Sequence, residues 1–118
     1  MVLSEGEVAD VLNRVADILK RKGTSESKIA IKHRANEDYY KITKTQEKLG
    51  YGNEEFLKEL GRLEIKHYHN TTTDILGHQL HSFVLPIEKE NIYIKFDLSI
   101  SRNTTEDKIY LISFHKNE

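Results

Sequence analysis

The first half of the chain repeats its apolar residues every three or four positions. Val8, Val11, Leu12, Val15, Ile18 and Leu19 form one stripe of an amphipathic helix. Ser4-Glu5-Gly6-Glu7 opens it as a capping box, in which serine and glutamate side chains satisfy each other's free backbone amides. Leu3 and Val8 stand at hydrophobic-staple positions, and Lys20-Arg21-Lys22-Gly23 gives a cationic last turn and a glycine stop. Ile29-Ala30-Ile31 reads as a short strand or an extended lead-in. From Asn36, a candidate N-cap, Tyr39, Ile42, Gln46 and Leu49 trace a second helix that Gly50 ends. Asn53-Glu54-Glu55 starts a third, with Phe56, Leu57 and Leu60 on its buried face and acidic residues suited to the helix dipole.

After Gly61 the period changes from 3.6 to 2. Leu63 to His69, Leu80 to Ile87, Asn91 to Ser99 and Lys108 to His115 alternate, joined by Asn70 to Gln79, Glu88-Lys89-Glu90 and Ser101 to Asp107. Consecutive strands with short connections predict an antiparallel meander. In the third of them Ile92, Ile94, Phe96 and Leu98 share one side, and Tyr93, Lys95 and Asp97 the other. One face is packed and the other meets water or carries chemistry. The expected fold is α+β: N-terminal helices (residues 4–61) packed on a C-terminal antiparallel meander sheet (62–116), all in one domain of 118 residues.

Composition narrows the chemistry. Cysteine is absent, which removes disulfides, a thiolate nucleophile and thiolate-ligated zinc or iron–sulfur sites. No apolar run approaches a membrane span, and the first residues lack the basic and apolar regions of a signal peptide, so a cytoplasmic protein is expected. The formal charge is −1; residues 1–60 carry eleven groups of each sign, residues 61–118 seven basic and eight acidic. That balance counts against a large nucleic-acid footprint and leaves room for a small, locally basic site. Lys20-Arg21-Lys22 and Lys41, Lys44 and Lys48 read as helix-end and solvated-face charges or as phosphate contacts. Asn70-Thr71-Thr72 and Asn103-Thr104-Thr105 fit the glycosylation sequon but read as turn residues. No phosphate-binding glycine loop, serine-nucleophile motif or dinucleotide fingerprint is present.

Histidine is the conspicuous residue type: His67, His69, His78 and His81 lie within fifteen positions, with Asp74 between the pairs. On a strand, His67 and His69 would share one face about 6–7 Å apart, a spacing open to a metal, to a pair of acid–base groups, or to ordinary surface polarity. Tyr93 and Lys95 share a strand face and suit either a phosphate or simple coverage of an exposed sheet.

The second half resembles a known family. Leu49-Gly50-Tyr51, a short helix, then Lys66-His67-Tyr68, Gln79, Pro86, Ile92-Tyr93-Ile94-Lys95 and Ile109-Tyr110-Leu111-Ile112-Ser113-Phe114-His115-Lys116 are similar in order and spacing to the motility quorum-sensing regulator (MqsR) toxins. Those toxins end in a strand of the form V-Y-L-K and a last strand of the form V-S-F-K. The likeness runs from about Ser27 to the C-terminus. It implies a RelE-like ribonuclease fold and cleavage of messenger RNA without metal or cofactor. In that chemistry the ribose 2′-hydroxyl attacks the adjacent phosphate, leaving a 2′,3′-cyclic phosphate and a 5′-hydroxyl. It also implies a cognate antitoxin as protein partner, with no membrane partner; a homodimer is compatible with it.

By the same resemblance, the family's first-strand lysine falls on Lys66 by identity or on His67 by spacing from Gln79. The glutamine falls on Gln79, the tyrosine on Tyr93, and the last-strand lysine on His115 with Lys116 beside it. His67 and His115 would then be the acid–base pair and Lys66 and Lys95 would stabilise the phosphorane. Tyr93 would assist proton transfer or orient the phosphate, and Gln79 and Lys116 would hold substrate. Histidine in place of lysine moves the mechanism from fixed charge toward titrating acid–base work. The neutral balance and the long first helix depart from the family pattern. Strict alternation conflicts with this set, because His115 alternates with Ile109 and Leu111 whereas Tyr93 opposes the buried residues of its strand. Bringing the two together requires a bulge, a frayed end or sheet twist. The rivals are a non-catalytic binding protein (an antitoxin, immunity protein or phage-encoded inhibitor) and a metal-dependent hydrolase using the histidine cluster.

Overall fold

The computed structural model describes residues 1–31, 37–98 and 107–116, with side chains of residues 37–40 omitted. The fold is α+β, with three α-helices and a five-stranded mixed sheet among the described residues. Helix α1 spans Glu5–Lys20, and the capping box at Ser4 and Glu7 is formed as the sequence predicts. Its apolar stripe buries Val8, Val11, Val15 and Ile18. Helices α2 (Glu37–Leu49) and α3 (Asn53–Leu60) follow, the first ending at Gly50, whose φ of +69° suits a residue without Cβ. The N-cap expected at Asn36 lies outside the described residues, as do Ser99, residues 101–106 of the last connection and the sequon at Asn103.

The strands are β1 (Ile29–Ile31), β2 (Tyr68–Thr73), β3 (Gln79–Ile87), β4 (Glu90–Asp97) and β5 (Ile109–Lys116). They lie in the order β1-β5-β4-β3-β2. From β2 to β5 the sheet is the expected antiparallel meander. The short segment at Ile29 is a true strand, added parallel to β5 at the edge, so the sheet is mixed and helices do not simply precede strands.

The first sheet strand is displaced from its expected place. Leu63 to His67 alternates in hydropathy, yet Ile65–His67 is a 3₁₀ turn and Ile65 is exposed. Two local hydrogen bonds account for this: the Glu64 N–H donates to His67 Nδ1 (2.9 Å), and the His67 N–H to the Glu64 carbonyl (3.0 Å). Pairing begins only at Tyr68 and runs through the polar Asn70–Thr73 stretch, whose β-branched threonines fit a pleated edge.

One face of the sheet carries the core. Phe83 and Phe96 stack on neighbouring strands with ring planes 4° apart and centroids 5.6 Å apart. Phe114 meets Phe56 of α3 at 4.7 Å and Tyr51 at 6.1 Å, joining the sheet to the helical layer. Ile42 of α2 and Val8 and Val15 of α1 complete the same cluster. Among the described residues no helix is long and apolar enough to cross a membrane.

The β3–β4 hairpin turns on Glu88 and Lys89, both in the left-handed region at φ 48° and 69°. A two-residue turn of this kind favours Asn-Gly, because L-residues with a long side chain are strained there. Replacing Glu88→Asn and Lys89→Gly together is expected to raise stability by about 1 kcal/mol, the left-handed strain outweighing the added glycine entropy. A urea midpoint that rises with unchanged slope is the expected reading; a fall would show that the native pair is held by contacts stronger than its strain.

Candidate functional site

The face of the sheet opposite the core is polar, and two extra residues decide what it displays. Between β2 and β3, Tyr68 pairs with Phe83 and Asn70 with Ser82, so His69 is one residue too many. Between β4 and β5, Lys95 pairs with Ser113 and Phe96 with Leu111, so Ile112 is the extra residue. Each insertion reverses the inside–outside pattern of its strand. In β2 it turns Tyr68 inward, its ring edge-on to Phe83 at 5.6 Å, and leaves His69 outside. In β5 it turns Phe114 into the core and His115 outward. The parity conflict in the sequence is removed by this second bulge.

The result is a row of side chains across the open face. Tyr93 lies directly opposite His115 in register, with ring centroids 5.5 Å apart. On its other side His69 meets Tyr93 nearly edge-on at 6.3 Å. Lys95 Nζ stands 5.8 Å from the Tyr93 ring centroid, within cation–π range. His69 is exposed, and Tyr93, Lys95 and His115 are half-exposed. His115 Nδ1 is 3.0 Å from the Lys116 carbonyl oxygen. A carbonyl only accepts, so that geometry assigns the hydrogen to Nδ1 and leaves the Nε2 lone pair outward in the neutral ring.

Three of the seven residues singled out in the sequence therefore meet: Tyr93, Lys95 and His115. The other four do not join them. His67 is engaged in the 3₁₀ turn through Glu64, and Lys66 is exposed with Nζ 3.6 Å from the Glu64 carboxylate. Gln79 pairs with Thr73 and shares the parity of His81 and Phe83, which puts it on the core side of the sheet, at its exposed end. Lys116 shares the parity of Phe114, and its Nζ reaches Glu90 at 3.9 Å, the carboxylate that also lies 3.4 Å from Lys48. His69 takes the place the sequence gave to His67. The His-x-His pair signalled that one of the two belonged to the site, and only the bulge says which. Arg21, one of the helix-end cations, donates to the carbonyls of Asp107 (2.7 Å) and Ser27 (2.6 Å).

The remaining histidines are separate. His78 sits in the β2–β3 turn, with Nδ1 3.3 Å from Asp74 Oδ2 and 3.6 Å from Asp97 Oδ2. Asp97, expected outside, is only 4% exposed. His81 is buried, its Nδ1 3.0 Å from Thr71 Oγ1, which in turn lies 2.8 Å from the Tyr68 hydroxyl. Among the described residues no three or more histidine, aspartate or glutamate side chains converge as metal ligands. No family model, curated protein or solved structure matches the chain.

His81 is held below the ordinary histidine value, first by burial, then by the positive charge of Arg14, with Asp97 opposing. His67 is lowered as well, first by burial, against the Glu64 carboxylate that raises it. Both rings resist protonation in the folded state more than in the unfolded chain. Their stabilisation is therefore complete above 6.5 and is lost as pH falls below it, because the unfolded state then binds more protons. A His81→Gln variant is expected to lose stability less steeply than the parent between about pH 7 and pH 5. Urea midpoints measured across that range check this, and parallel slopes would remove His81 as a source of the dependence.

Proposed function

We propose that this chain is an endoribonuclease that cleaves RNA through the ribose 2′-hydroxyl, and that it acts on messenger RNA as the toxin of a toxin–antitoxin pair. The observation that carries the reading is Tyr93 flanked by His69 and His115, with Lys95 over its ring, on an open sheet face. The reaction needs a base for the 2′-hydroxyl proton, an acid for the departing 5′-oxygen and neutralisation of the phosphorane between them. In the proposed assignment His115 Nε2 takes the 2′ proton as the new P–O bond forms. His69, protonated, gives a proton to the 5′-oxygen as the old P–O bond breaks. The Tyr93 hydroxyl and the Lys95 ammonium face the non-bridging oxygens.

The likeness to the MqsR toxins supports the same chemistry, and helices on one face of an antiparallel β2–β5 meander accord with the RelE-like fold expected from it. The extra parallel strand β1 is a departure. On this reading a cognate antitoxin is the protein partner and the cytoplasm, where messenger RNA is translated, is the site of action. A second reading, a non-catalytic binding protein, draws on a specific observation. The net charge is −1 and the histidine–tyrosine row is exposed, which suits a flat protein contact as well as a substrate.

The purified chain is expected to cut a synthetic RNA into fragments ending in 2′,3′-cyclic phosphate and 5′-hydroxyl, with activity kept in EDTA and lost on an all-2′-deoxy substrate. His69→Ala and His115→Ala should each reduce the rate by about 10²–10⁴-fold, and the rate should fall on both sides of its pH optimum. Mass spectrometry of the fragments and single-turnover rates are the measurements. Intact RNA in the presence of folded wild-type protein would sink the nuclease and leave the binding protein.

A further inference from the structure

On the open face, where His69 is exposed and Tyr93 half-exposed, Ser82 is fully buried. Its register position explains why: it lies between Asn70 of β2 and Lys95 of β4, one row away from the histidine–tyrosine row. Its hydroxyl is directed wholly at one residue. Ser82 Oγ accepts the Asn70 N–H at 3.3 Å, lies 3.0 Å from the Asn70 carbonyl oxygen, and donates to Asn70 Oδ1. Asn70 is the residue that immediately follows the inserted His69.

We propose that Ser82 is a positioning residue, whose hydroxyl clamps Asn70 and so holds the bulge that projects His69 against Tyr93. A bulge leaves its extra residue outside the backbone ladder, so the ladder alone does not fix where the side chain points. Here the far side of the bulge is pinned by the hydroxyl of Ser82. The near side is pinned by Tyr68, whose ring packs on Phe83 and whose hydroxyl accepts the Leu3 N–H at 3.0 Å. Between two fixed neighbours His69 has one way out, over the β3 strand toward Tyr93. A buried hydroxyl with all its contacts on one partner is a costly group unless those contacts are kept, which gives the clamp its stiffness.

The catalytic part of this inference rests on the ribonuclease reading; the geometric part does not. The test uses the full chain with Ser82→Ala and Ser82→Cys, the thiol being slightly larger than the hydroxyl and a far weaker hydrogen-bonding group. Nuclear Overhauser effects between the His69 and Tyr93 rings should weaken in the order Ser, Cys, Ala, while the core amide spectrum is retained. Cleavage should follow the same order, with kcat falling about tenfold or more in Ser82→Ala and KM little changed, as expected when a reacting group is displaced rather than lost. A packing role gives the opposite order, with the larger Cys disturbed most and Ala least. Full ring contact and full kcat in Ser82→Ala would overturn the clamp. If Ser82→Ala does not fold, Ser82→Cys decides by itself, since unchanged ring contacts there overturn the clamp. Wild-type protein that shows the ring contacts but cuts no RNA would end the nuclease reading, and the ring contacts of the variants would still judge the clamp.

Discussion

Register is the constraint on which the rest of this structure depends. A strand has a side-chain period of two, so one inserted residue exchanges every side chain beyond it between the two faces. The sheet contains two such insertions, at His69 in β2 and Ile112 in β5, in strands that lie on either side of the β3–β4 pair. Without the first, Tyr68 would leave Phe83 and His69 would turn toward the core. Without the second, Phe114 would leave Phe56 and His115 would be buried. The same two shifts therefore complete the aromatic core and assemble the polar row on the opposite face. The site and the core are two consequences of one backbone decision, which is why neither can be altered at these strands without the other.

The helical layer answers to the same faces. Phe114 reaches α3 through Phe56 and lies against Tyr51, while Ile109 and Leu111 of β5 are fully buried. α1, α2 and α3 all contribute to this one cluster, and the polar row stands on the other side of the sheet. A sheet covered on one face supplies rigid positions to the other, where side chains need only be held at their base. Tyr93 gains from this arrangement: its neighbours Ile92 and Ile94 are buried on either side, so its backbone is fixed by the core while its ring is left half-open.

Much of this was legible in the sequence, and the part that was not has a definite cause. Helix α1 could be read residue by residue because its cap, stripe and stop are local signals. Strands β3, β4 and β5 announced themselves by alternation, and the outward Tyr93–Lys95 pair came with them. The bulges did not. His69 and Ile112 differ in no local property from residues that pair normally, and what inserts them is the preference of Tyr68 and Phe114 for aromatic partners far away in sequence. The alternation of Leu63 to His67 misled for the converse reason: a polar cap between Glu64 and His67 overrode a hydrophobic pattern too short to compete. The conflict between His115 and Tyr93 was visible, and it named a bulge as one remedy without locating it.

Charge sets the terms on which such a face can hold a nucleic acid. With a net charge of −1 and acidic and basic residues balanced in both halves, the chain has little long-range attraction for phosphate. Any affinity must come from contact, and Tyr93 and Lys95 are the groups placed to give it. A base stacked on a tyrosine ring contributes about 1–3 kcal/mol without reading sequence. In the free protein the Lys95 ammonium lies over that ring. A base arriving on Tyr93 would take the ring face, and the phosphate attached to it would offer the ammonium a stronger partner than the ring it leaves. Stacking and charge neutralisation would then occur as one exchange at one residue pair, so that Lys95 reaches a phosphate only when a nucleotide is seated. A chain that cannot gather RNA by its overall field would in this way confine its electrostatic attraction to the place where the imidazoles stand.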